Sequence, residues 1–514
     1  MSNRVDNRPR SSSASRARGA WSCAWWLRIS GAVASAVTLA SCALGPDGTP
    51  PTLPSPVHYG VAPQPAQTVA AQGIAQHFET GAQPVPQWWR LYGSDALDAL
   101  VDEGLRNSPT LAAADKSLSQ AREQLRAQIG NTLFPSINAY GQAERERNLG
   151  QPEAGPKTLL YNIFAGQVQV NYTFDLFGVA RLSNAALASR VNMRAFQFQA
   201  AQRALAANIV TAAISAAALE RQIEITGQRI DIAEAEARDD QRRYELGSMT
   251  LDDALNARQS AAELAEGLPG LRQQHAVQQH ALAVLLGRTP DEVPADLALD
   301  SLHLPDSVPV VVPSALLRTR PDIEAASAAL KAAAADVGVA TAQMLPSVSV
   351  VAALAQGGFT WPLATSAAGK LWTIGGSITQ PIFNGGALRA QRRGAIDAYD
   401  AATSQYKQTV LAAFQDVANA LAALEHDAQA LDAANMAART ARQAYAQIAG
   451  RYRSGSATLS ASRSSEQRYL NARLDEIRYM STRLSDTAAL FQAMGQPLES
   501  DNKDHPAAAQ LARQ

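Results

Sequence analysis

One nine-residue segment occurs twice in the 514 residues of the chain, and the two copies begin at positions 243 and 451. The first copy reads Arg243-Tyr244-Glu245-Leu246-Gly247-Ser248-Met249-Thr250-Leu251, and the second reads Arg451-Tyr452-Arg453-Ser454-Gly455-Ser456-Ala457-Thr458-Leu459. Each copy lies between two helix-like stretches, and its glycine is typical of a helix end. The sequence therefore predicts an internal duplication in which each half contains one helical hairpin.

The helical stretches are unusually long. Residues 178–246 contain no proline and a single interior glycine, Gly227. At ~1.5 Å per residue, a helix of this length spans on the order of 100 Å, which exceeds the size of a compact domain. Residues 387–452 also contain no proline, so both halves are expected to form long antiparallel helix pairs.

Each helical hairpin is preceded by two segments with period-two alternation. Residues 167–176, Gln-Val-Gln-Val-Asn-Tyr-Thr-Phe-Asp-Leu, alternate without a break, which predicts a strand with one apolar and one polar face. Half-buried strands of a soluble sheet would show the same pattern. Four strands are too few to close a barrel, which needs about eight, and unpaired strand edges are costly in lipid. If the apolar face meets lipid, the missing strands must come from other copies of the chain.

The predicted boundaries follow this duplication. The first repeat, residues 88–290, has strands at about 132–148 and 162–178 and a helical hairpin at about 178–287 with its tip near 247. The second repeat, residues 313–497, has strands at about 344–358 and 371–386 and a hairpin at about 387–494 with its tip near 455. Residues 291–312 are predicted to form a connector and residues 498–514 a disordered tail.

The N-terminus has the features of a secreted lipoprotein. Six arginines in residues 1–28 precede the short apolar run 29–40, which ends in Leu39-Ala40-Ser41-Cys42. This run is too short to span a bilayer as a helix, so residues 1–41 are predicted to be a cleaved signal peptide with a lipobox. Cys42 is the predicted lipidation site and the first residue of the mature chain. Residues 42–87 are predicted to form a lipidated, extended N-terminal arm rather than a packed domain.

Charge argues against nucleic acid as a partner. The whole chain has 45 basic and 46 acidic residues, and removal of residues 1–41 takes away six arginines and one aspartate, which leaves a net charge of about −6. No excess of positive charge is available to bind phosphates.

Several motifs, in order, resemble those of the TolC-type outer membrane efflux proteins, and in particular the lipoprotein branch that includes NodT-like proteins. Besides the lipobox and the duplicated turn, the motifs are Tyr172-Thr173-Phe174-Asp175-Leu176-Phe177-Gly178, Leu316-Leu317-Arg318-Thr319-Arg320-Pro321-Asp322-Ile323 and Pro381-Ile382-Phe383-Asn384-Gly385-Gly386. Within that branch the chain resembles outer membrane components of fusaric acid and other aromatic-compound resistance systems.

The resemblance implies a fold class of mixed α/β membrane protein. Each subunit of a homotrimer would give four strands to one 12-stranded outer-membrane β-barrel, and its helical hairpins to a coiled-coil tube that extends into the periplasm. It also implies a periplasmic membrane fusion (adaptor) protein and an inner-membrane RND, MFS or ABC transporter as partners. The expected function is a passive exit duct for small toxic organic compounds or antibiotics, in the outer membrane of a Gram-negative bacterium, with no cofactor other than the lipid on Cys42.

The resemblance also assigns roles to the two turns. The residues expected to dock the adaptor are Arg243, Tyr244, Gly247, Ser248, Arg451, Tyr452, Gly455 and Ser456. The residues expected to form the periplasmic gate are Asp253, Asn256, Tyr452, Ala461, Arg463 and Ser464. Many relatives have acidic residues after the second turn, where this chain has Ala461 and Ser464. Because a carboxylate ring attracts cations, the sequence predicts a pore that is less cation-selective than is typical.

Three other functions are possible for a chain with these features. The seven histidines have no metal-ligand spacing, and no P-loop, dinucleotide-binding glycine pattern or nucleophile elbow is present, so the chain is not expected to be an enzyme. A purely structural lipoprotein would not need strands with one apolar and one polar face. The outer membrane channel of a protein secretion system would have the same fold, and remains an alternative.

Overall fold

The computed structural model describes residues 44–53, 56–60, 64–83, 85–149 and 158–495. The predicted signal peptide, Cys42 and the predicted tail 498–514 lie outside these residues. The chain divides into two compact units. One contains residues 132–182 and 337–392 and is built around a sheet, and the other contains residues 48–131, 183–336 and the chain from 393 onward and is mainly helical.

The sheet unit contains four antiparallel strands in the order β2-β3-β5-β6. Their bounds are Ser136–Leu149 (β2), Thr158–Phe174 (β3), Ser347–Gly358 (β5) and Lys370–Thr379 (β6). The strands β2 and β3 form one hairpin, β5 and β6 form the other, and β3 pairs with β5 to join them. The last strand was expected to continue to residue 386 but ends at Thr379, because Pro381 cannot donate to the ladder.

The two faces of this sheet differ in polarity. Residues that share one face include Ile137, Val168, Val170, Val350, Leu354, Trp372, Ile374 and Ile378, as the strand register shows. Several of these apolar side chains are strongly exposed, and that of Trp372 is 77% exposed. The other face is mainly polar, with Asn138, Gln142, Gln167, Gln169, Asn171, Ser349, Thr373 and Ser377. On this face Gln169 Nε2 donates to Asn171 Oδ1 at 2.7 Å, and the Ser349 and Ser377 hydroxyls are 2.8 Å apart.

Nine α-helices lie in the described residues. They are α1 (Asp95–Asn107), α2 (Pro109–Leu133), α3 (Val179–Glu245), α4 (Leu251–Leu285), α5 (Pro313–Thr319), α6 (Pro321–Ala342), α7 (Trp361–Thr365), α8 (Ala387–Arg453) and α9 (Leu459–Met494). Two of these, α3 and α8, have 67 residues each, so each spans about 100 Å. The helix pairs α3–α4 and α8–α9 are the two hairpins of the duplication.

The core of the helical unit consists mostly of alanine and branched aliphatic side chains from these long helices. One 18-residue window of α3 is apolar enough to cross a membrane, but 67% of it is buried inside the fold, as expected for a core helix. Trp88 and Trp89 pack into this core: both side chains are almost completely buried, and Trp88 stacks on Phe491 of α9 with ring centroids 5.4 Å apart.

The prediction of an unpacked N-terminal arm is wrong for the part nearest the first repeat. Strand β1 (His77–Thr80) pairs in parallel with β4 (Ser307–Val310), which lies in the predicted connector. These are two further strands that sequence reasoning did not expect, and four residues are too short a run for alternation to be recognised. Phe78 and Val308 are buried where the strands meet the helices.

Hydrogen bonds from α9 also hold the arm. The buried Arg483 donates to Gln76 Oε1 and to Thr68 Oγ1, both at 3.1 Å, and Gln76 Nε2 donates to Thr487 Oγ1 at 3.3 Å. Buried polar groups are stable only with such partners. Polar residues of the arm therefore provide hydrogen-bond partners for two nitrogens of a buried arginine.

Candidate functional site

The two copies of the repeated segment fold into the same helix-ending turn. In the first, the amide of Ser248 donates to the carbonyl of Arg243 at 2.8 Å, and that of Gly247 donates to the carbonyl of Tyr244 at 2.9 Å. In the second, the amide of Ser456 donates to the carbonyl of Arg451 at 2.8 Å, and that of Gly455 donates to the carbonyl of Tyr452 at 2.9 Å. This is a Schellman motif, in which a residue with positive φ ends the helix. Gly247 and Gly455 have φ values of 73° and 74°.

A threonine cap starts each returning helix. Thr250 Oγ1 accepts from the amide of Asp253 at 3.2 Å, and Thr458 Oγ1 accepts from the amide of Ala461 at 3.1 Å. In the first turn, Thr250 Oγ1 also donates to the Asp253 carboxylate at 2.6 Å. Asp253 therefore belongs to the N-terminal cap of α4, where a negative charge is favourable. The cap of α9 has no carboxylate, because Ala461 occupies the corresponding position.

All eight predicted docking residues are exposed on these turns. The arginines, tyrosines, glycines and serines are those that build the Schellman motif, so their repetition has a structural reason apart from any docking role. Sequence reasoning missed Leu246, whose side chain is 82% exposed at the first tip. Its counterpart in the second copy is Ser454, and this difference between the copies was the available signal.

Helices α3 and α9 are cross-linked next to the turns. Arg463 Nη1 lies 2.5 Å from Asp239 Oδ2, and Ser460 Oγ donates to Glu236 Oε1 at 2.6 Å. Further along, Gln467 Nε2 donates to the carbonyl of Arg229 at 2.6 Å. Arg203, much earlier in α3, contacts Gln492 near the end of α9, whereas Asp239 near the end of α3 contacts Arg463 near the start of α9, so the two helices are antiparallel. The hydrogen bond from Arg463 lowers the pKa of Asp239, so this carboxylate stays charged.

The other predicted gate residues are separate from this cross-link. The side chains of Asp253, Asn256, Ala461 and Ser464 are exposed, as is that of Tyr452. Arg463 alone among the predicted gate residues forms an ion pair with another helix.

The Arg320 motif has a structural role in the helical unit. Arg320 pairs with Asp322 at 2.7 Å and with Asp416 at 3.0 Å, and its Nη1 donates to the carbonyl of Ala493 at 3.0 Å. Arg203 of α3 donates to the carbonyl of Gln492 at 2.6 Å. Two arginines therefore satisfy the last carbonyls of α9, where cations complement the helix dipole. Burial lowers the pKa of Arg203 to about 10, and the nearby Arg320 acts in the same direction.

The same repeated architecture is found in known proteins. The family model of the outer membrane efflux protein matches residues 100–288 and 312–496, which are the two halves of the duplication. The chain belongs to the outer membrane efflux protein family. It is 28% identical over 456 residues to the pyoverdine export outer membrane protein OpmQ of Pseudomonas putida, which covers 87% of this chain and 95% of that protein. It is 26% identical to nodulation protein T of Rhizobium leguminosarum bv. viciae, over 87% of this chain and 90% of that protein.

Solved structures agree with this assignment. The outer-membrane channel OprN superposes with a TM-score of 0.74 at 25% identity, covering 88% of this chain and 99% of OprN. The predicted fold class, with long helical hairpins and four strands per subunit, is confirmed. This efflux channel is an outer membrane protein, and the members of its family are channels rather than enzymes.

Proposed function

We propose that this efflux channel is the exit duct of a tripartite pump, in which three copies of the chain close one barrel in the outer membrane. The observation that carries the proposal is the four-stranded sheet with one apolar and one polar face. Its outer strands, β2 and β6, have no partner on their outer edges within the described residues. Unpaired backbone groups cannot face hydrocarbon, so each edge requires a strand from a neighbouring copy.

The strand directions permit this closure. The two edge strands run in opposite directions, so β6 of one copy can pair antiparallel with β2 of the next. Two copies would give eight strands, and a barrel of that size is filled by its own side chains. Three copies give twelve strands and leave room for a solute. The polar face would then line the duct and the apolar face would meet lipid.

The two turns are the proposed docking surface for the adaptor. Arg243, Tyr244, Arg451 and Tyr452 are exposed beside the two glycines, and Leu246 adds an apolar side chain at the first tip. Tyrosine and arginine side chains are enriched in protein–protein interfaces, which supports this assignment.

The gate is proposed to lie at the same end of the tube. Asp253, Asn256, Tyr452, Ala461, Arg463 and Ser464 are its candidate residues, with Arg463 held by Asp239. With Ala461 and Ser464 in place of carboxylates, we expect a pore that is less selective for cations than one with a complete acidic ring.

Cys42 is proposed to carry a covalent lipid after cleavage of residues 1–41. The lipid would hold the N-terminus at the outer membrane. The arm that follows packs on the helical unit through Phe78. The lipid is an anchor and adds nothing to conduction in this proposal.

The proposed cargo is small organic compounds, supplied by an adaptor and an inner-membrane RND, MFS or ABC transporter. Relatives named for pyoverdine export and for efflux pumps support a small-molecule cargo. A protein secretion channel with the same fold is the alternative. The chain itself would supply no energy.

The test is single-channel recording of the purified, full-length protein in planar bilayers, with its oligomeric state measured by native mass spectrometry. We expect a trimer with a low conductance that rises when the cognate adaptor is added. A stable monomer that conducts no ions in either condition would contradict the proposal.

A further inference from the structure

Opposite charges alternate near the turn between β2 and β3. The segment reads Glu144-Arg145-Glu146-Arg147, and it lies at the end of β2 away from the connection to α2. Successive side chains of a strand point to opposite faces. The strand register therefore places both glutamates on the mainly polar face and both arginines on the apolar face.

The two glutamates and the two arginines differ in their hydrogen-bond partners. Glu146 accepts hydrogen bonds from the Tyr161 hydroxyl at 2.8 Å and from Asn148 Nδ2 at 2.9 Å. Both arginines are exposed, and among the described residues neither has a hydrogen bond or an ion pair. Their cross-strand neighbours, Asn162 and Leu160, have no charge. The outward face thus presents two positive charges per subunit, and no side chain of residues 44–149 or 158–495 that the structure describes pairs with them.

The height of the apolar band shows where these arginines lie. On the apolar face of β3, Phe174 and Phe164 are separated by ten residues, or about 33 Å of strand. With a strand tilt of about 40°, this distance covers about 25 Å of membrane, the usual height of the apolar band of a barrel. Phe164 packs edge-to-face with Trp361, with ring centroids 5.7 Å apart, as in an aromatic girdle. Asn162, the partner of Arg145, is the next residue on that face beyond Phe164.

Arg145 and Arg147 are therefore just above the hydrocarbon, at the level of the lipid headgroups. The strand ends that connect to α2, α3, α6 and α8 are at the opposite end of the sheet, and the five-residue α7 links β5 to β6 at the arginine end. If these four longer helices extend towards the periplasm, as the proposed function requires, the arginines face the outer leaflet. That leaflet of a Gram-negative outer membrane consists of a phosphorylated glycolipid. A guanidinium group binds phosphate through two parallel hydrogen bonds and is only weakly hydrated.

We propose that Arg145 and Arg147 bind the phosphate groups of this outer-leaflet glycolipid and so form a lipid-binding surface around the barrel. The surface fixes the depth of the barrel in the membrane and keeps the barrel axis aligned with the membrane normal. The inference rests on the proposed function only for the assignment of the sheet end to the outer leaflet.

The experiment measures binding of lipid A to the full-length channel in detergent micelles by native mass spectrometry. Wild type is compared with the double variant Arg145→Gln, Arg147→Gln, and lipid A with both phosphates is compared with lipid A from which they have been removed. We expect the double variant to bind phosphorylated lipid A about 30-fold more weakly, from two surface charges near an anionic headgroup. Wild type and the double variant should bind dephosphorylated lipid A with the same affinity.

The matched control is Arg389→Gln, Arg393→Gln, which removes two exposed charges near the start of α8, at the helix end of the sheet. This control should bind phosphorylated lipid A like wild type. Arg145→Lys, Arg147→Lys should retain part of the affinity, because lysine keeps the charge but cannot bind bidentately. Equal binding by wild type and the glutamine variant, or equal binding of both lipids by wild type, would overturn the inference.

Conductance separates this inference from the proposed function. The glutamine variant should conduct like wild type in phosphatidylcholine bilayers, because the arginines are on the outward face. A wild type that binds lipid A through these arginines but never conducts would refute the channel and leave the lipid site intact. A channel that conducts with no preference for phosphorylated lipid A would refute the lipid site alone.

Discussion

Arg463 of α9 and Asp239 of α3 form an ion pair with a nitrogen–oxygen distance of 2.5 Å, and they belong to different halves of the duplication. The two side chains are only 19% and 21% exposed, so solvent screens their attraction less than at an open surface. Arg242, one turn further along α3, also contacts Asp239. The pair therefore joins the two helical hairpins next to their tips, where the channel is proposed to close.

We predict that breaking this pair favours the open tip. Arg463→Ala and Asp239→Asn should each raise the open population at pH 7 about fivefold, which corresponds to about 1 kcal/mol for a partly exposed pair. Single-channel recording measures this change. If the pair is the cause, the double variant should open no more than either single variant. Additive effects of the two changes, or no effect of either, would show that the pair does not hold the tip.

The same pair sets an expectation for pH. The folded-state pKa of Asp239 is lowered, so its stabilising contribution is present above the unfolded value of about 4 and is lost as pH falls through the lower folded value. Between pH 5 and pH 8, titration of Asp239 should not change the open population of wild type. A rise on acidification that begins near pH 6 and disappears in Asp239→Asn would contradict this assignment.

The glycine of the second turn should be needed for its backbone conformation alone. Gly455 has positive φ, and an added Cβ would meet no atom within 4 Å. Gly455→Ala should therefore cost about 1 kcal/mol through backbone strain, with amide exchange in residues 451–459 about fivefold faster. Gly450→Ala is the control, because Gly450 lies inside α8 in equally open space, where alanine is favoured. Equal exchange in both variants would rule out the strain.

Loss of Arg320 should destabilise the helical unit. Its side chain is 11% exposed and holds two carboxylates and the end of α9. Arg320→Ala should lower the free energy of unfolding by about 2 kcal/mol, because it removes charge-assisted hydrogen bonds to two partly exposed carboxylates and to one of the last carbonyls of α9. Chemical denaturation measures this, with the exposed Arg318→Ala as a control expected to change stability by less than about 0.5 kcal/mol. A similar loss in both variants would contradict the capping role.

Asp427 of α8 is predicted to destabilise the fold at alkaline pH. Burial raises its pKa to about 7, the nearby Asp486 adds to the rise, and Arg483 opposes it. Its Oδ2 is buried and has no hydrogen-bond partner among the described residues. Because the folded-state pKa lies above the unfolded value of about 4, ionisation costs stability as pH rises between these values. Asp427→Asn should raise Tm at pH 8 and leave it unchanged at pH 4. A lower Tm at pH 8 would show that the charged form is favoured.

A carboxylate at position 464 should restore cation preference. Ser464 is exposed near the start of α9, and three copies of Ser464→Asp would place three charges around the proposed constriction. Reversal potentials in a salt gradient should shift towards cation selectivity, whereas the neutral variant Ser464→Asn should behave like wild type. An unchanged permeability ratio in Ser464→Asp would place this residue away from the conduction path.

The long elements of this fold could be predicted from sequence because their signals are long. The absence of proline in 178–246 predicted a helix that the structure has as Val179–Glu245, and ten alternating residues, 167–176, predicted part of β3. The parallel pair β1–β4 could not be predicted, because each strand has only four residues and they are far apart in the chain. Tertiary contacts, such as those of Phe78, stabilise these strands rather than local propensity.

The candidate site was predictable in position but not in its contacts. Gly247 and Gly455 indicated the turns directly, since a helix end of this kind needs positive φ. The partner of Arg463 depends on the packing of α9 against α3, and no periodicity within one helix specifies it. The cap formed by Thr250 and Asp253 has a local sequence signature, whereas the family resemblance assigns Asp253 only to the gate.

The open edges of the sheet have a consequence for biogenesis. A single copy would expose unpaired amides and carbonyls to hydrocarbon, so it is not a stable intermediate in the bilayer. Subunits must meet before or during insertion, and the yield of channels should fall steeply when the chain is scarce. A variant copy whose β6 cannot pair would prevent closure of every barrel that contains it. A gene that encodes such a variant should therefore be dominant over the wild-type gene.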